Sequence, residues 1–287
     1  MPAEYLLPGA ASLDLTGPLA HFAEHGYARL GRVLSDVGAE ELGARVDQLM
    51  MGEIVYPGLF FQKDTETGNY DDLEYKKGYQ GPSLNYRKIE KLEKDPLFLA
   101  WIENPLFERV ARAVYQGEIA IYRALIFNKA RTGGTVLPYH QDGGIYWGLD
   151  RDPVLQIWTA LDDTPLESGC VEILPGSHHK GFATPLGGLI PKDISLARGG
   201  DGDTVFLPAR RGESILIHNQ VWHRSGVNRT GLPRRAFTVC YISAETRCLR
   251  KKRAPRSFVR VFDQDRDRGP GVTAGATTDP SSPPSRG

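Results

Sequence analysis

The spacing of apolar residues along the chain changes near residue 118. Before that point, "SDVGAEELGARVDQLMMG" (35–52) repeats Leu42, Val46 and Leu49 at three- and four-residue intervals, which predicts a helix with one buried face. The preceding run "EHGYARLGRVL" (24–34) is short and glycine-bounded and is read as a strand. Asp95-Pro96 and Asn104-Pro105 each place a capping side chain ahead of a first-turn proline, so two further helices begin there. Leu106, Phe107, Val110, Ala111 and Val114 give the second of these an apolar stripe for packing against a sheet. After residue 118 short strand-like runs take over: "EIAIYRALIFNKA", "VLQIWTALDD", "CVEILPGSHH", "TVFLPA", "ESILIHNQVWH" and "RRAFTVCYIS". Turn signals separate them closely, which predicts a mainly β sandwich or barrel with flanking helices.

Two stretches escape both patterns. Residues 53–86 mix glycine, proline, charges and aromatics without a period, and a loop that long in a compact domain is a candidate lid. Phe60, Phe61, Tyr79 and Tyr86 would be its closing surface. Residues 268–287 have almost no large apolar side chains and are expected to be a disordered tail. The remaining 1–267 is expected to form a single domain, with a helical N-terminal elaboration and a barrel core over about 118–245.

Composition narrows the classes of partner. Lys plus Arg and Asp plus Glu balance at 35 each, which excludes a general electrostatic affinity for nucleic acid or anionic membranes. The cysteines, Cys170, Cys240 and Cys248, are odd in number and lack metal-type spacing, which suits a reducing compartment. No apolar run is long enough to span a bilayer, and the N-terminus lacks the basic start and apolar stretch of a secretion signal. The expectation is a cytoplasmic protein acting on a small molecule, without nucleic-acid or membrane partners. Nothing in the sequence fixes an oligomeric state.

The chemistry centres on "YHQDGGIYW" (139–147). In a strand, residues two apart share a face, so His140 and Asp142 can aim at one point. A lone H-x-D is weak evidence, because short motifs match by chance. His223, closing "ESILIHNQVWH", supplies a third donor if both strands belong to one jelly roll. Two histidines and a carboxylate leave three positions open on a metal, as in non-haem Fe(II) oxygenases. The same donors also suit catalytic zinc. His218 lies five residues before His223, an odd spacing that would face it away. His178 and His179 follow "LPGS" at a strand exit and read as structural or solvated, and His21 and His25 as surface residues.

If 2-oxoglutarate is the electron source, its distal carboxylate wants a guanidinium that can bind both oxygens. Arg234 and Arg235 are the candidates, and strand alternation allows only one to face inward. Ser225 is placed to add a hydroxyl.

"HQDGGIYW", "WTALDDTPLESGCVEILPGSHHKG" and "HRSGVNRTGLPRRA" together resemble the phytanoyl-CoA dioxygenase family of Fe(II)/2-oxoglutarate oxygenases. The likeness runs in order from about residue 22 to 243 and is strongest from 119 onward. It implies a double-stranded β-helix (jelly-roll, cupin-like) barrel, with His140, Asp142 and His223 as iron ligands. It implies Fe(II) as cofactor, with 2-oxoglutarate and O2 as co-substrates. It picks Arg234 over Arg235, implies Trp158 and Ser225 beside 2-oxoglutarate, and suggests Lys88 and Leu125 as further pocket residues. Tyr139, Tyr146 and Trp147, which flank the metal loop, and Gln156 are the substrate-contact candidates. Related halogenases resemble this pattern with a small residue at the carboxylate position. Asp142 therefore favours hydroxylation or oxidative ring closure, at a C–H of a small metabolite with release of succinate and CO2. Alternatives are an acyl-CoA substrate, for which the basic run 248–260 would meet phosphates, and a non-catalytic binding protein of the same fold.

Overall fold

Among the described residues the strands form two antiparallel sheets packed face to face. The computed structural model describes residues 2, 4–74, 78–131, 133–198, 202–250 and 256–263. The expected tail at 268–287 lies outside them, as does part of the basic run. The larger sheet runs β1 (Tyr27–Arg32), β10 (Glu213–His218), β6 (Leu155–Ala160), β12 (Arg234–Ser243), β4 (Ile119–Lys129), β3 (Tyr86–Glu90), β2 (Phe60–Lys63), with β13 (Val259–Val261) also on β4. The smaller runs β8 (Gly188–Leu189), β5 (Leu137–Gln141), β11 (Trp222–Ser225), β7 (Val171–Leu174), β9 (Val205–Leu207). This is the expected double-stranded β-helix, but as two separate sheets that are not closed into a barrel.

Alternation along the central strands sorts the side chains between two interiors. Ile157, Phe237, Val239, Leu216 and Ile126 face the helices and join the main core. Trp158, Ala160, Ala236, Ile215 and Ile217 face the smaller sheet, where Ile173 and Leu207 meet them. The helices cover the outer face: α1 (Thr16–His25), α2 (Asp36–Met51), α3 (Pro96–Ile102) and α4 (Pro105–Val114), with the short α5 (Lys192–Ala197) elsewhere. The caps read from the sequence at Asp95 and Asn104 are present, and Ser35 adds one that the sequence reading did not name. Asp95 accepts from the Leu97 N–H, Asn104 from the Phe107 N–H and Ser35 from the Gly38 N–H. Leu42, Val46 and Leu49 are fully buried, as the period of α2 requires.

Three elements differ from the sequence reading. Helix α1 has too short a stripe, chiefly Leu19 and Phe22, to announce itself before the β1 run. The 53–86 segment is not structureless: β2 lies within it and extends the larger sheet by pairing with β3, which begins at Tyr86. Phe61, Tyr79 and Tyr86 cluster with one another, so of the four aromatics only Phe60 reaches the cavity described below. Finally, "ESILIHNQVWH" is two strands. A turn at Asn219-Gln220 ends β10 in the larger sheet and starts β11 in the smaller one.

Candidate metal centre and active site

His140 on β5 and His223 on β11 are direct cross-strand partners, with ring centroids 4.0 Å apart. Each ring is held by its own strand. His140 Nδ1 lies 3.0 Å from the Pro138 carbonyl and His223 Nδ1 lies 2.9 Å from the Val221 carbonyl, so each Nδ1–H donates two residues back. That fixes the tautomer and leaves both Nε2 atoms bare. Asp142 follows the end of β5, where its N–H donates to the Asn219 carbonyl at 2.7 Å. Its Oδ2 lies 3.7 Å from His223 Nε2. One donor atom from each residue falls within 4.8 Å of the others, and no other His/Cys/Asp/Glu group among the described residues does this.

The charges around the triad favour ligand forms. Burial, and then neighbouring His223, push His140 down to about 3, so it is neutral at physiological pH. Burial alone would raise the Asp142 carboxyl, but Arg123 and the two histidines hold it well below the usual carboxylate range. Arg123 Nη2 donates to Oδ1 at 2.9 Å and Gln156 Nε2 to Oδ2 at 2.7 Å. Gln156 therefore holds the carboxylate, where the sequence had suggested substrate contact.

Arg123 went unnoticed in the sequence because a bulge breaks alternation. Opposite β12, Cys240 pairs with Arg123 and Tyr241 with Ile121, leaving Tyr122 as the extra residue. Tyr122 and Arg123 consequently both reach the site: Tyr122 stacks on Trp147 at 4.3 Å, and the Arg123 guanidinium lies 4.4 Å from the same ring.

A narrow chamber runs from the triad to Arg234, also lined by Trp158, Ser225, Lys129 and Thr238. Arg234 is 2 % exposed, lies 5.6 Å from the Trp158 ring, and has Nε and Nη2 buried without a hydrogen-bond partner. Arg235 points the other way, into Asp162 (Nε–Oδ2 2.8 Å), Asp47 (2.9 Å) and the Gly43 carbonyl, tying α2 to the sheet. Thr238, four residues beyond Arg234 on the same face, also has an unpartnered buried hydroxyl.

Other candidates sit elsewhere. Lys88 pairs with Glu90 at 2.6 Å and does not line the chamber. Nor does Leu125, the fully buried cross-strand partner of Thr238. Tyr139 faces away from His140, as its neighbour in a strand must, and packs with Trp222, Leu174 and Ile190 behind the smaller sheet. Tyr146 and Trp147 line a second, larger cavity. His218 packs on His178 and Phe22 at the far end of β10, while His178 and His179 donate to the Ala23 and Glu24 carbonyls.

Fold and donor set together define the class: a double-stranded β-helix carrying two histidines on its smaller sheet and one carboxylate just past β5. The chain belongs to the phytanoyl-CoA dioxygenase (PhyH) family, whose model matches residues 22–236, and the family is one of dioxygenases. It is 31% identical over 159 residues to "Phytanoyl-CoA dioxygenase domain-containing protein 1" of Mus musculus, covering 52% of this chain and 54% of that one. The chain thus spans about half the length of the first curated relatives it matches. It is 22% identical to the peroxisomal phytanoyl-CoA dioxygenase of Rattus norvegicus, over 80% of this chain and 69% of that one. Two solved structures share the fold. One is the non-heme alpha ketoglutarate dependent carbocyclase SnoK from nogalamycin biosynthesis, with TM-score 0.66, 19% identity, and 88% and 98% of the two chains covered. The other is EctD from S. alaskensis with 2-oxoglutarate and 5-hydroxyectoine, with TM-score 0.64, 19% identity, and 91% and 89% covered. No helix among the described residues is long and apolar enough to cross a membrane.

Proposed function

We propose that the protein is an Fe(II)- and 2-oxoglutarate-dependent dioxygenase that hydroxylates, or oxidatively ring-closes, a C–H position of a small-molecule metabolite. The observation that carries this reading is the chamber itself. Two bare imidazole Nε2 atoms and a carboxylate stand at one end, and a buried guanidinium with two unpartnered donors stands at the other. A buried cationic donor left unmatched is costly, and a carboxylate is the group that answers both of its N–H bonds. A hydrolytic zinc site would give Arg234 no such purpose.

His140, Asp142 and His223 would hold the iron, and Arg234 with Ser225 would receive the distal carboxylate of 2-oxoglutarate. Iron so held supplies activation of O2, coupled to conversion of 2-oxoglutarate to succinate and CO2. The chain's own residues do the placing. The Pro138 and Val221 carbonyls keep both imidazoles in the ligating tautomer. Arg123 and Gln156 keep Asp142 ionised and aimed. Trp158 walls the chamber beside Arg234, and Trp147 with Tyr122 screens the metal side from water.

The test is the visible spectrum of the protein mixed anaerobically with Fe(II) and then 2-oxoglutarate. The expected result is a metal-to-ligand charge-transfer band, absent in Asp142→Ala and requiring more 2-oxoglutarate in Arg234→Ala. Iron bound with no band on adding 2-oxoglutarate would remove the co-substrate from the reading.

A further inference from the structure

Arg123 and Trp147 lie on the lining of a second cavity of about 670 Å³, next to the triad and distinct from the chamber that ends at Arg234. Its walls come from distant parts of the chain: Leu59 and Phe60 at β2, the Tyr122–Arg123 bulge, Trp147 after the metal loop, and Phe258 before β13. That volume lies in the range of sites that enclose a mid-sized organic molecule.

The charges on this lining do not balance. Among its described residues the one acid is Glu90, and the bases are Lys91, Arg123, Arg250 and Arg256. Glu90 is matched by Lys88 at 2.6 Å, and Arg123 by Asp142 at 2.9 Å. Arg250 and Arg256 have no such match among the described residues. Arg250 donates to the Tyr146 carbonyl and Arg256 to the Tyr122 carbonyl, each an uncharged acceptor on the cavity's own wall. Arg256 also lies 4.8 Å from the Tyr122 ring and 5.3 Å from that of Phe258. Glu90 and Glu93 lie near enough to Arg256 to feel its charge, but neither forms an ion pair with it, and a carbonyl and two rings leave its other N–H donors for an anion. The Arg250 and Arg256 side chains are both solvent-exposed, so these contacts hold their guanidinium groups at the cavity's mouth. The apolar side chains on the same lining, Phe60 and Phe258 among them, suit the uncharged remainder of the same molecule.

We propose that this second cavity is the site for an organic anion. Its carboxylate or phosphate would be met by Arg250 and Arg256, and its apolar body would lie against Phe60 and Phe258 with a C–H directed toward Arg123 and the metal side. Calling the ligand a substrate rests on the dioxygenase reading, whereas the binding preference does not. The cavity would discriminate against cations, because the one acid among its described lining residues is already paired.

Calorimetric titration of the metal-free full chain tests it with four probes sharing one apolar body: 1-naphthyl phosphate, 1-naphthoate, 1-naphthylmethanol and 1-naphthylmethylammonium. Both anions are expected to bind at least tenfold more tightly than the alcohol, with the ammonium weakest. The anion preference should shrink severalfold in 0.5 M NaCl, an arm that needs no variant. It should also shrink in the Arg250→Gln/Arg256→Gln double variant. Comparing phosphate with carboxylate shows which anion the pair favours. Equal or better binding of the alcohol or ammonium, an anion preference unchanged in the double variant, or no saturable binding of either anion at millimolar concentration would each overturn the proposal. Because no metal is present, this result and the charge-transfer result fail independently.

Discussion

Arg123 and Asp142 form a 2.9 Å ion pair between β4 and the metal loop, and the arginine gets there because Tyr122 is one residue too many for its ladder. Replacing Arg123 with Met leaves Asp142 with Gln156 as its remaining side-chain donor. Fe(II) affinity is expected to fall about 10–100-fold, the usual consequence of removing a partner that orients a ligand. Anaerobic Fe(II) titration of Arg123→Met against wild type measures this, and a change under twofold would mean that Asp142 is held adequately without it.

Arg234 and Arg235 should separate binding from stability. Arg234→Ala is expected to raise the Kd for 2-oxoglutarate about 10–100-fold, in line with charge-assisted hydrogen bonds of about 1.5–3 kcal/mol. It should not lower the melting temperature of the ligand-free protein, because it removes an unmatched buried charge. Arg235→Ala should do the reverse. Loss of its bonds to Asp162 and Asp47 is expected to cost about 1–3 kcal/mol of stability with little change in 2-oxoglutarate binding. Identical effects of both variants on Kd would refute the division.

Lys129, the cross-strand partner of Arg234, is expected to make co-substrate binding pH-dependent. It is 6 % exposed, donates to the Thr135 carbonyl at 2.8 Å, and is pushed down to about 7, first by burial and then by Arg234. A carboxylate arriving at Arg234 favours the protonated amine, so above pH 7 binding takes up a proton. The Kd for 2-oxoglutarate should be level below pH 7 and rise above it, by at most tenfold per pH unit. Lys129→Met should flatten that rise. The same group should make the ligand-free fold more stable from pH 7 toward 10.5, where the unfolded lysine still holds the proton that the folded one has lost. Spectroscopic titrations at pH 6 to 9 decide the binding part, and parallel profiles for the two proteins would count against it.

Gly187 braces the metal loop from outside. Its φ is +70°, and a Cβ there would stand 2.2 Å from the Gly143 carbonyl oxygen, one residue past Asp142. Gly187→Ala is expected to cost about 2 kcal/mol or more, combining left-handed strain with a backbone clash. Thermal unfolding should show the loss, and Fe(II) titration should show weaker binding through a displaced Asp142. An unchanged melting temperature would mean the loop gives way freely.

Much of the centre was legible because it follows strand alternation and ordered blocks. His140 and Asp142 share a face; alternation left Arg234 and Arg235 open, and only the family resemblance picked Arg234. Tyr139 was expected among the substrate contacts although it neighbours the inward His140 on the same strand, and the structure packs it outward with Trp222, Leu174 and Ile190. His218 stayed out of the site as expected but for another reason: the chain changes sheets between it and His223, so spacing along one strand does not relate them. Arg123 was hidden by a bulge that no local residue type announces. The pairing of Lys88 with Glu90 was hidden because the 53–90 region lacks a readable period, although it contributes two strands.

The Arg-Arg pair has one more consequence. A slip of one residue along β12 would exchange the two faces of the strand, yet at this dipeptide both faces would still present a guanidinium. The pair by itself is therefore blind to its own register. What distinguishes the correct setting lies just beyond, where Ala236 fits the tight space between the sheets and Phe237 fills the helix side against Phe98. On the proposed reading, co-substrate recognition would inherit its accuracy from a size difference between two apolar residues that never meet the co-substrate.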